Sequence, residues 1–302
     1  MEKAKELSGL VIVNKEEGIT SQGVVNRVKR IFGVKKAGHT GTLDPMATGV
    51  LPILIGRGVK ASEFMLTSNK HYGATLLLGV TTDTEDVTGT VLSECEVNLS
   101  EDKVLSVIAD FVGEIMQTPP MYSALKVGGK KLCDLARRGE TVEREARPVT
   151  VYSIDSKRIN EREYYLDVVC SKGTYIRTLC ADIGKALGVG GTMKTLTRLS
   201  ASGYSIDVAK TLSELEIMTD EERQKMILPV EDVFKKYELV ILGDFFARLA
   251  HAGQEIYLHK IKKSFKVGDV LRIADSEGFF AVGEVREFEG GLAIKPIRQF
   301  RD

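Results

Sequence analysis

The sequence predicts an α+β fold with one large domain and one small one. Segments with helical spacing of apolar residues are interspersed with short, strand-like apolar runs. With 302 residues, 43% of them hydrophobic, the chain is long enough to bury a substantial core. From about Tyr237 onward the pattern changes to closely spaced β runs with glycine-bearing turns, which sets the expected division at residues 1–236 and 237–302.

The first elements follow from local pattern. LVIVN, residues 10–14, predicts a buried strand, and the next helix carries Val24, Val25, Val28, Ile31 and Phe32 on one face. Thr20 or Ser21 can cap its start and Gly33 can end it. The segment from His71 to Val80 reads as a strand that runs into the polar, acidic turn TTDTEDVTG. Ser100 caps a second helix, whose Val104, Val107, Ile108, Phe111 and Val112 repeat at helical spacing until Gly113. Residues 118–150 then lose periodicity and gain glycine pairs and cations, the signature of a binding loop or lid. Regular structure returns with YYLDVVC, residues 164–170, a strand that feeds SKGTYIRTL and a helix to about Gly188. If that junction is extended, Tyr175 and Arg177 project from the same face. A short helix near Asp244 to Ala252 precedes VLRIAD, FFAVGEV and LAIKPI, which read as a compact β-barrel module.

Charge and composition narrow the function classes. The formal net charge is zero, from 42 cations and 42 anions, but Lys and Arg are in excess over residues 1–60 and Asp and Glu over 81–115. A second basic stretch holds Lys126, Lys130, Lys131, Arg137 and Arg138. Two basic regions on one face would attract a polyanion, the alternative being ordinary solvated loops. No apolar run approaches the roughly 18–20 residues of a membrane span, and the charged opening MEKAKELSG has no apolar signal segment behind it. A cytoplasmic protein with no membrane association is expected. Cys95, Cys133, Cys170 and Cys180 show no CxxC pairing and the four histidines stand apart, so neither a metal site nor a disulfide framework is expected. Without a Walker loop or a convincing dinucleotide fingerprint, no cofactor is expected either.

The stretch GHTGTLDPMATG, Gly38 to Gly49, is unusual because a glycine-rich loop that cradles phosphate offers amides and a lysine, whereas this one centres on Asp44. Pro45 disfavours helical geometry at Asp44, and Gly41 and Gly49 permit close approach to a large partner. By residues alone, Asp44-Pro45 is either a local Asp-Pro turn or a reactive carboxylate.

GHTGTLDPMATGVLPI, followed in order by KHYGATLLLG and CSKGTYIRTL, resembles the TruB family of bacterial tRNA pseudouridine 55 synthases, and the resemblance covers essentially the whole chain. One departure stands out, since Glu16 occupies the place where the family's opening motif carries proline. The resemblance implies a pseudouridine synthase fold, a mixed and mostly antiparallel sheet flanked by helices, with a C-terminal PUA-like β-barrel. It implies isomerisation of uridine 55 in the tRNA T-loop, in which the base leaves C1′, turns and rejoins through carbon 5 with no cofactor consumed. A stacked base must first be everted, at a cost of a few kcal/mol.

The implied roles follow the motifs. Asp44 is the nucleophilic carboxylate, and Arg177 is expected to orient it by a bidentate pair and to lower its pKa. Tyr72 stacks on the everted uracil and is a candidate for moving the C5 proton. Tyr175 and Leu196 wall the base pocket, His39 assists extrusion, and Lys60 contacts the RNA backbone. The cations of the 118–150 insertion grip the T-arm, with Tyr122 or Leu125 adding apolar contact. Guide-dependent relatives share the core motifs but lack a comparable insertion, so the resemblance favours a monomeric enzyme that needs neither guide RNA nor a protein partner. The alternatives are a subunit of a guided ribonucleoprotein and a tRNA-binding or folding protein without turnover.

Overall fold

The computed structural model describes residues 7–66 and 68–301. Met1 to Glu6, most of the charged opening, lies outside the described residues.

The chain begins with β1 (Gly9–Lys15), α1 (Ser21–Ile31), β2 (Ala37–His39) and β3 (Thr48–Ile55), then α2 (Ser62–Met65), β4 (Lys70–Leu78), β5 (Val80–Thr82) and β6 (Val91–Glu94). It continues with α3 (Glu101–Ala109), β7 (Gly113–Gln117), a small hairpin of β8 (Lys126–Val127) and β9 (Lys130–Lys131), α4 (Leu132–Ala136), β10 (Arg147–Arg158) and β11 (Glu163–Cys170). Next come α5 (Ile176–Ala186), β12 (Gly191–Ala201), β13 (Tyr204–Ser205), α6 (Leu212–Ile217) and α7 (Asp220–Lys225). The last part holds β14 (Leu239–Ile241), α8 (Asp244–His251), β15 (Ile256–Tyr257), β16 (Val270–Asp275), β17 (Gly278–Phe288) and β18 (Gly291–Gln299).

The large sheet follows the order β1-β3-β12-β4-β11-β10-β7, with β2 and β13 attached at its side. Its neighbours are antiparallel except for β12 beside β3, so the sheet is mixed and mostly antiparallel. Helices cover its apolar face because their own apolar residues fall at helical spacing: Val24, Val25 and Val28 of α1, Val104 and Ile108 of α3, and Leu179 and Ile183 of α5 are buried in one core with Ala74, Leu76 and Leu78 of β4. Thr20 caps α1 by accepting from the Gly23 amide at 2.9 Å, and Ser100 caps α3. The second sheet runs β14-β16-β17-β18-β15 and leaves β14 and β15 as its edges.

Two expectations change. The insertion ends sooner than 150, since Arg147 to Val151 pair in register with Gln117 to Gly113 as part of β10. What reads as irregular sequence there is a strand held between β7 and β11, where ladder hydrogen bonds override a weak pattern. Arg177 lies inside α5 and Tyr175 is the residue that caps it, so the two are not neighbours on an extended face. Tyr175 has no side-chain cap of its own; Gln117, on β7, accepts from its amide at 2.7 Å and donates to its carbonyl at 3.0 Å.

Candidate active site

The loop that carries Asp44 is fixed from below by three groups. Ser21, at the start of α1, accepts from the Leu43 amide at 2.8 Å and donates to the Leu43 carbonyl at 2.9 Å. The Ala47 amide closes a tight turn on the Asp44 carbonyl at 3.1 Å. Lys15, fully buried at the end of β1, donates from Nζ to the carbonyls of Glu16 and Pro45 at 3.0 Å and of Ala47 at 2.5 Å. The Gly18 amide adds a bond to the Pro45 carbonyl at 2.8 Å, so the opening turn is tethered although Glu16 replaces the family's proline.

The loop leaves through Gly49, whose φ is +101° and whose α-carbon faces Arg198 across the parallel β3–β12 pair. A Cβ there would lie 2.3 Å from the Arg198 carbonyl oxygen, so only glycine fits. The loop and β12 are thereby pressed together. Arg198 is 1% exposed and spends its guanidinium on backbone, with Nε on the Val50 carbonyl at 2.7 Å and Nη2 on the Gly41 carbonyl at 3.2 Å. A bulge between Arg198 and Ser200 interrupts the register of β12 against β4 beside Tyr72, the cross-strand partner of Arg198.

Arg177 joins four segments. Its Nε meets Asp44 Oδ2 at 3.0 Å, its Nη1 donates to the Thr84 carbonyl at 2.8 Å and faces Asp86 Oδ2 at 3.6 Å, and its Nη2 donates to the Tyr122 carbonyl at 2.8 Å. The expected bidentate pair is not formed, because the other two nitrogens are committed to Asp86, Thr84 and the first residues of the insertion. The expected lowering of the Asp44 pKa is also overturned. Burial raises the carboxyl above its ordinary value, Arg177 opposes that rise, Asp86 adds to it, and Lys15 opposes it. One guanidinium shared between two carboxylates neutralises neither fully. The Asp44 side chain is 33% exposed, which leaves it reachable from outside, whereas Arg177 beneath it is 5% exposed.

The remaining residues expected at the site divide into two groups. Tyr72 is buried, accepts a hydrogen bond from Arg198 and feels the Asp44 charge; burial raises its pKa, so its hydroxyl stays protonated. Tyr175 lies within the electrostatic reach of Arg177 and Asp44, and burial raises its pKa as well. His39 is held neutral by burial and by Arg198, with Nδ1 accepting from the Gly41 amide at 3.4 Å, which puts the proton on Nε2. Leu196 is buried in the main core opposite Ala74. Lys60 is drawn elsewhere: it is exposed and donates to the Gln299 carbonyl at 2.9 Å, joining the two sheets. Lys126, Lys130, Lys131, Arg137 and Arg138 are exposed on the β8–β9 hairpin and around α4.

Sequence reasoning missed Asp86, Arg198 and Lys15. Asp86 is only 4% exposed because Thr84 and Thr88 satisfy its Oδ1, with the two threonine hydroxyls at 2.9 and 2.5 Å and the Thr88 amide at 2.9 Å. Its signal was the dense run of threonines around it. Lys15 ends a strand that is otherwise almost wholly apolar, where a lone cation signals burial on carbonyls; Arg198 shares β12 with Lys194 and carried no such signal.

A domain model described as TruB family pseudouridylate synthase, N-terminal domain, matches residues 29–176, and one described as tRNA pseudouridylate synthase B, C-terminal domain, matches 177–235. The chain is 42% identical over 290 residues to tRNA pseudouridine synthase B of Clostridium tetani, spanning 96% of this chain and 99% of that protein. It is 44% identical to the Alkaliphilus oremlandii protein of the same name over 83% of each chain. Among solved structures, a chain of a Cbf5-Nop10-Gar1 complex superposes with a TM-score of 0.72 at 27% identity, covering 97% of this chain and 84% of that one. With two family domains covering most of the sequence and a relative matched nearly end to end, the chain belongs to the TruB family of pseudouridylate synthases.

Proposed function

We propose that the protein converts uridine 55 in the T-loop of tRNA to pseudouridine, as a monomer in the cytoplasm and without guide RNA. The observation that carries this reading is the contact of Asp44 with Arg177 at 3.0 Å, in a loop fixed by Ser21, Lys15 and Gly49 but open to solvent at the carboxyl itself. A rigid, reachable carboxylate on a buried guanidinium is what nucleophilic attack on an everted nucleoside requires. The net change breaks the C1′–N1 bond, makes C1′–C5 and moves the C5 hydrogen to N1, so no electron or group leaves. Tyr72 presents a neutral phenol and not a phenolate, which suits stacking and hydrogen bonding to the base. Arg177 orients Asp44, while Tyr175, Leu196 and His39 receive the everted base and its neighbours. Residues 237–302 serve as a PUA-like RNA-binding module, and the cations of the insertion hold the T-arm.

The standalone reading is favoured over a guided one by the kind of relative. Identity of 42% extends almost end to end to an enzyme named for tRNA, against 27% to a chain of the Cbf5-Nop10-Gar1 complex. The decisive experiment incubates unmodified tRNA with the protein alone and maps pseudouridine. Wild type is expected to modify position 55, and Asp44→Asn is expected to bind tRNA with no turnover; substantial pseudouridine from the variant would remove Asp44 from the chemistry. Modification only after addition of a guide RNA would favour the second reading.

A further inference from the structure

Lys70 opens β4 two residues before Tyr72, so both side chains belong to one face of the sheet, roughly 7 Å apart along the strand. Its cross-strand partners are Cys170 on β11 and Ala201 on β12. Its Nζ donates to the Ser68 carbonyl at 2.9 Å. The stem reaches the Asp44 loop: a Cβ built on Gly41 would stand 3.8 Å from Lys70 Cε and 3.6 Å from Arg198 Nη1. Lys70, Arg198 and the loop therefore meet on one side of the candidate site.

The charge there is one-sided. The charged groups nearest Lys70 include Arg198 and Lys172, both cations, and burial together with these lowers its pKa against a smaller opposing effect from Cys170. Among the described residues neither Lys70, Lys172 nor Arg198 makes an ion pair with a carboxylate; Arg198 is spent on backbone carbonyls and the Tyr72 hydroxyl. Arg177, on the other side of the loop, has both Asp44 and Asp86. The candidate site thus has an acidic side, where the reaction is proposed to occur, and a cationic side without counter-ions. Lys70 is half-buried and Lys172 beside it exposed, and a partly buried cation without a counter-ion favours a site that an incoming anion completes.

We propose that Lys70, flanked by Lys172 and backed by Arg198, binds a phosphodiester of the RNA next to the everted nucleotide. This rests on the tRNA reading given above. Tyr72 would hold the base while Lys70 holds the backbone beside it, so the ribose stays in place as the base is detached and turned.

The test measures the dissociation constant of the full-length protein for an unmodified T-arm stem-loop over a range of salt concentrations. Wild type, Lys70→Met, Lys70→Arg and Lys172→Gln are compared. Lys70→Met should bind several-fold more weakly at low salt, with the slope of log affinity on log salt reduced by ~0.7 to 0.9, one phosphate's worth, and Lys70→Arg should restore it. A neutral methylphosphonate on one side of the target uridine should weaken wild type and leave Lys70→Met unchanged. An unaltered slope in Lys70→Met, or equal sensitivity of both proteins to each methylphosphonate, overturns the site. Should Lys70→Met not fold, the exposed Lys172→Gln decides, a smaller slope supporting the site and an unchanged slope refuting it. Pseudouridine formation by wild type with an unchanged slope sinks the phosphate site alone, whereas binding without pseudouridine in wild type sinks the isomerase reading.

Discussion

Asp44 and Asp86 lie on opposite sides of one guanidinium, so the charge of each is felt by the other through a shared counter-ion. On the proposed mechanism Asp44 acts in its ionised form, and because its pKa is raised, activity should be lost as pH falls through a value above the carboxyl's ordinary one. Asp86→Asn removes one cause of that rise. The acid limb of the single-turnover rate should move to lower pH, while the plateau falls roughly 10- to 100-fold because Arg177 loses a partner that fixes it. An acid limb that stays in place would show that Asp86 does not act on Asp44. Lys15 governs the other limb. Burial pushes its pKa down to about 8, and above that pH the loop loses a charged donor and Asp44 loses a neighbouring cation. Activity should decline through about pH 8 in wild type, and Lys15→Arg should carry the plateau higher. The sign for stability is opposite: between about 8 and the unfolded value of 10.5 the unfolded chain binds more protons at this position, so Lys15 contributes increasing stability as pH rises. Falling activity with no loss of stability in that window separates the titration of Lys15 from alkaline unfolding. Asp44 was legible as an odd residue in a glycine loop. Its environment was not, because burial on carbonyls and a second carboxylate from a distant turn are tertiary facts.

At the scale of elements, the site is built where strand ends and loop meet, and backbone fit decides it. Gly49 presses against β12 so closely that Gly49→Ala must move either the loop or Arg198. With a left-handed φ in addition, the change should cost at least about 2 kcal/mol, read as a lowered midpoint in chemical denaturation, and should reduce turnover more than tRNA binding. Retention of full activity would mean that the loop position is not constrained by Gly49. The insertion is tied to the same centre, because the Tyr122 carbonyl takes a bond from Arg177 and the Pro119 carbonyl takes one from Arg144 at 3.0 Å. Deleting residues 126–145 should therefore weaken tRNA affinity, flatten its salt dependence and also lower the single-turnover rate at saturating tRNA. An unchanged rate at saturation would limit the insertion to binding. The helices α1 and α3, the strands β1, β4 and β11 and the C-terminal β runs were legible because each has a clear period and a recognisable stop. The start of β10 and the capping of α5 by Gln117 were not, since one depends on a partner strand and the other on a residue 58 positions away in the chain.

At the scale of the molecule, the C-terminal sheet is welded to the large one through a second core. Phe234 is fully buried there, with ring centroids of Phe64, Phe300 and Phe279 at 5.0, 5.3 and 5.8 Å. The same cluster takes Leu10, Ile12, Val50 and Leu54 from β1 and β3 and Val282 from β17. Glu63 pairs with Arg298 at 2.8 Å across the junction, where Lys60 also reaches Gln299. β1 and β3 are the strands that deliver Lys15 and receive the Asp44 loop, so loosening this core acts on the site. Aromatic burial of this kind is worth far more than the surface ion pairs around it. Phe234→Ala should cost about 3–5 kcal/mol, because the rings of Phe64, Tyr237, Phe279 and Phe300 and the edge of the large sheet lose one shared neighbour. Wild type is expected to lose far-UV signal and pseudouridine turnover in one coincident denaturant transition, with Phe234→Ala shifting both together to lower concentration. Two separated transitions in wild type, with turnover surviving the first, would mean that the C-terminal sheet is an independent bead and that the weld at Phe234 does not support the catalytic loop.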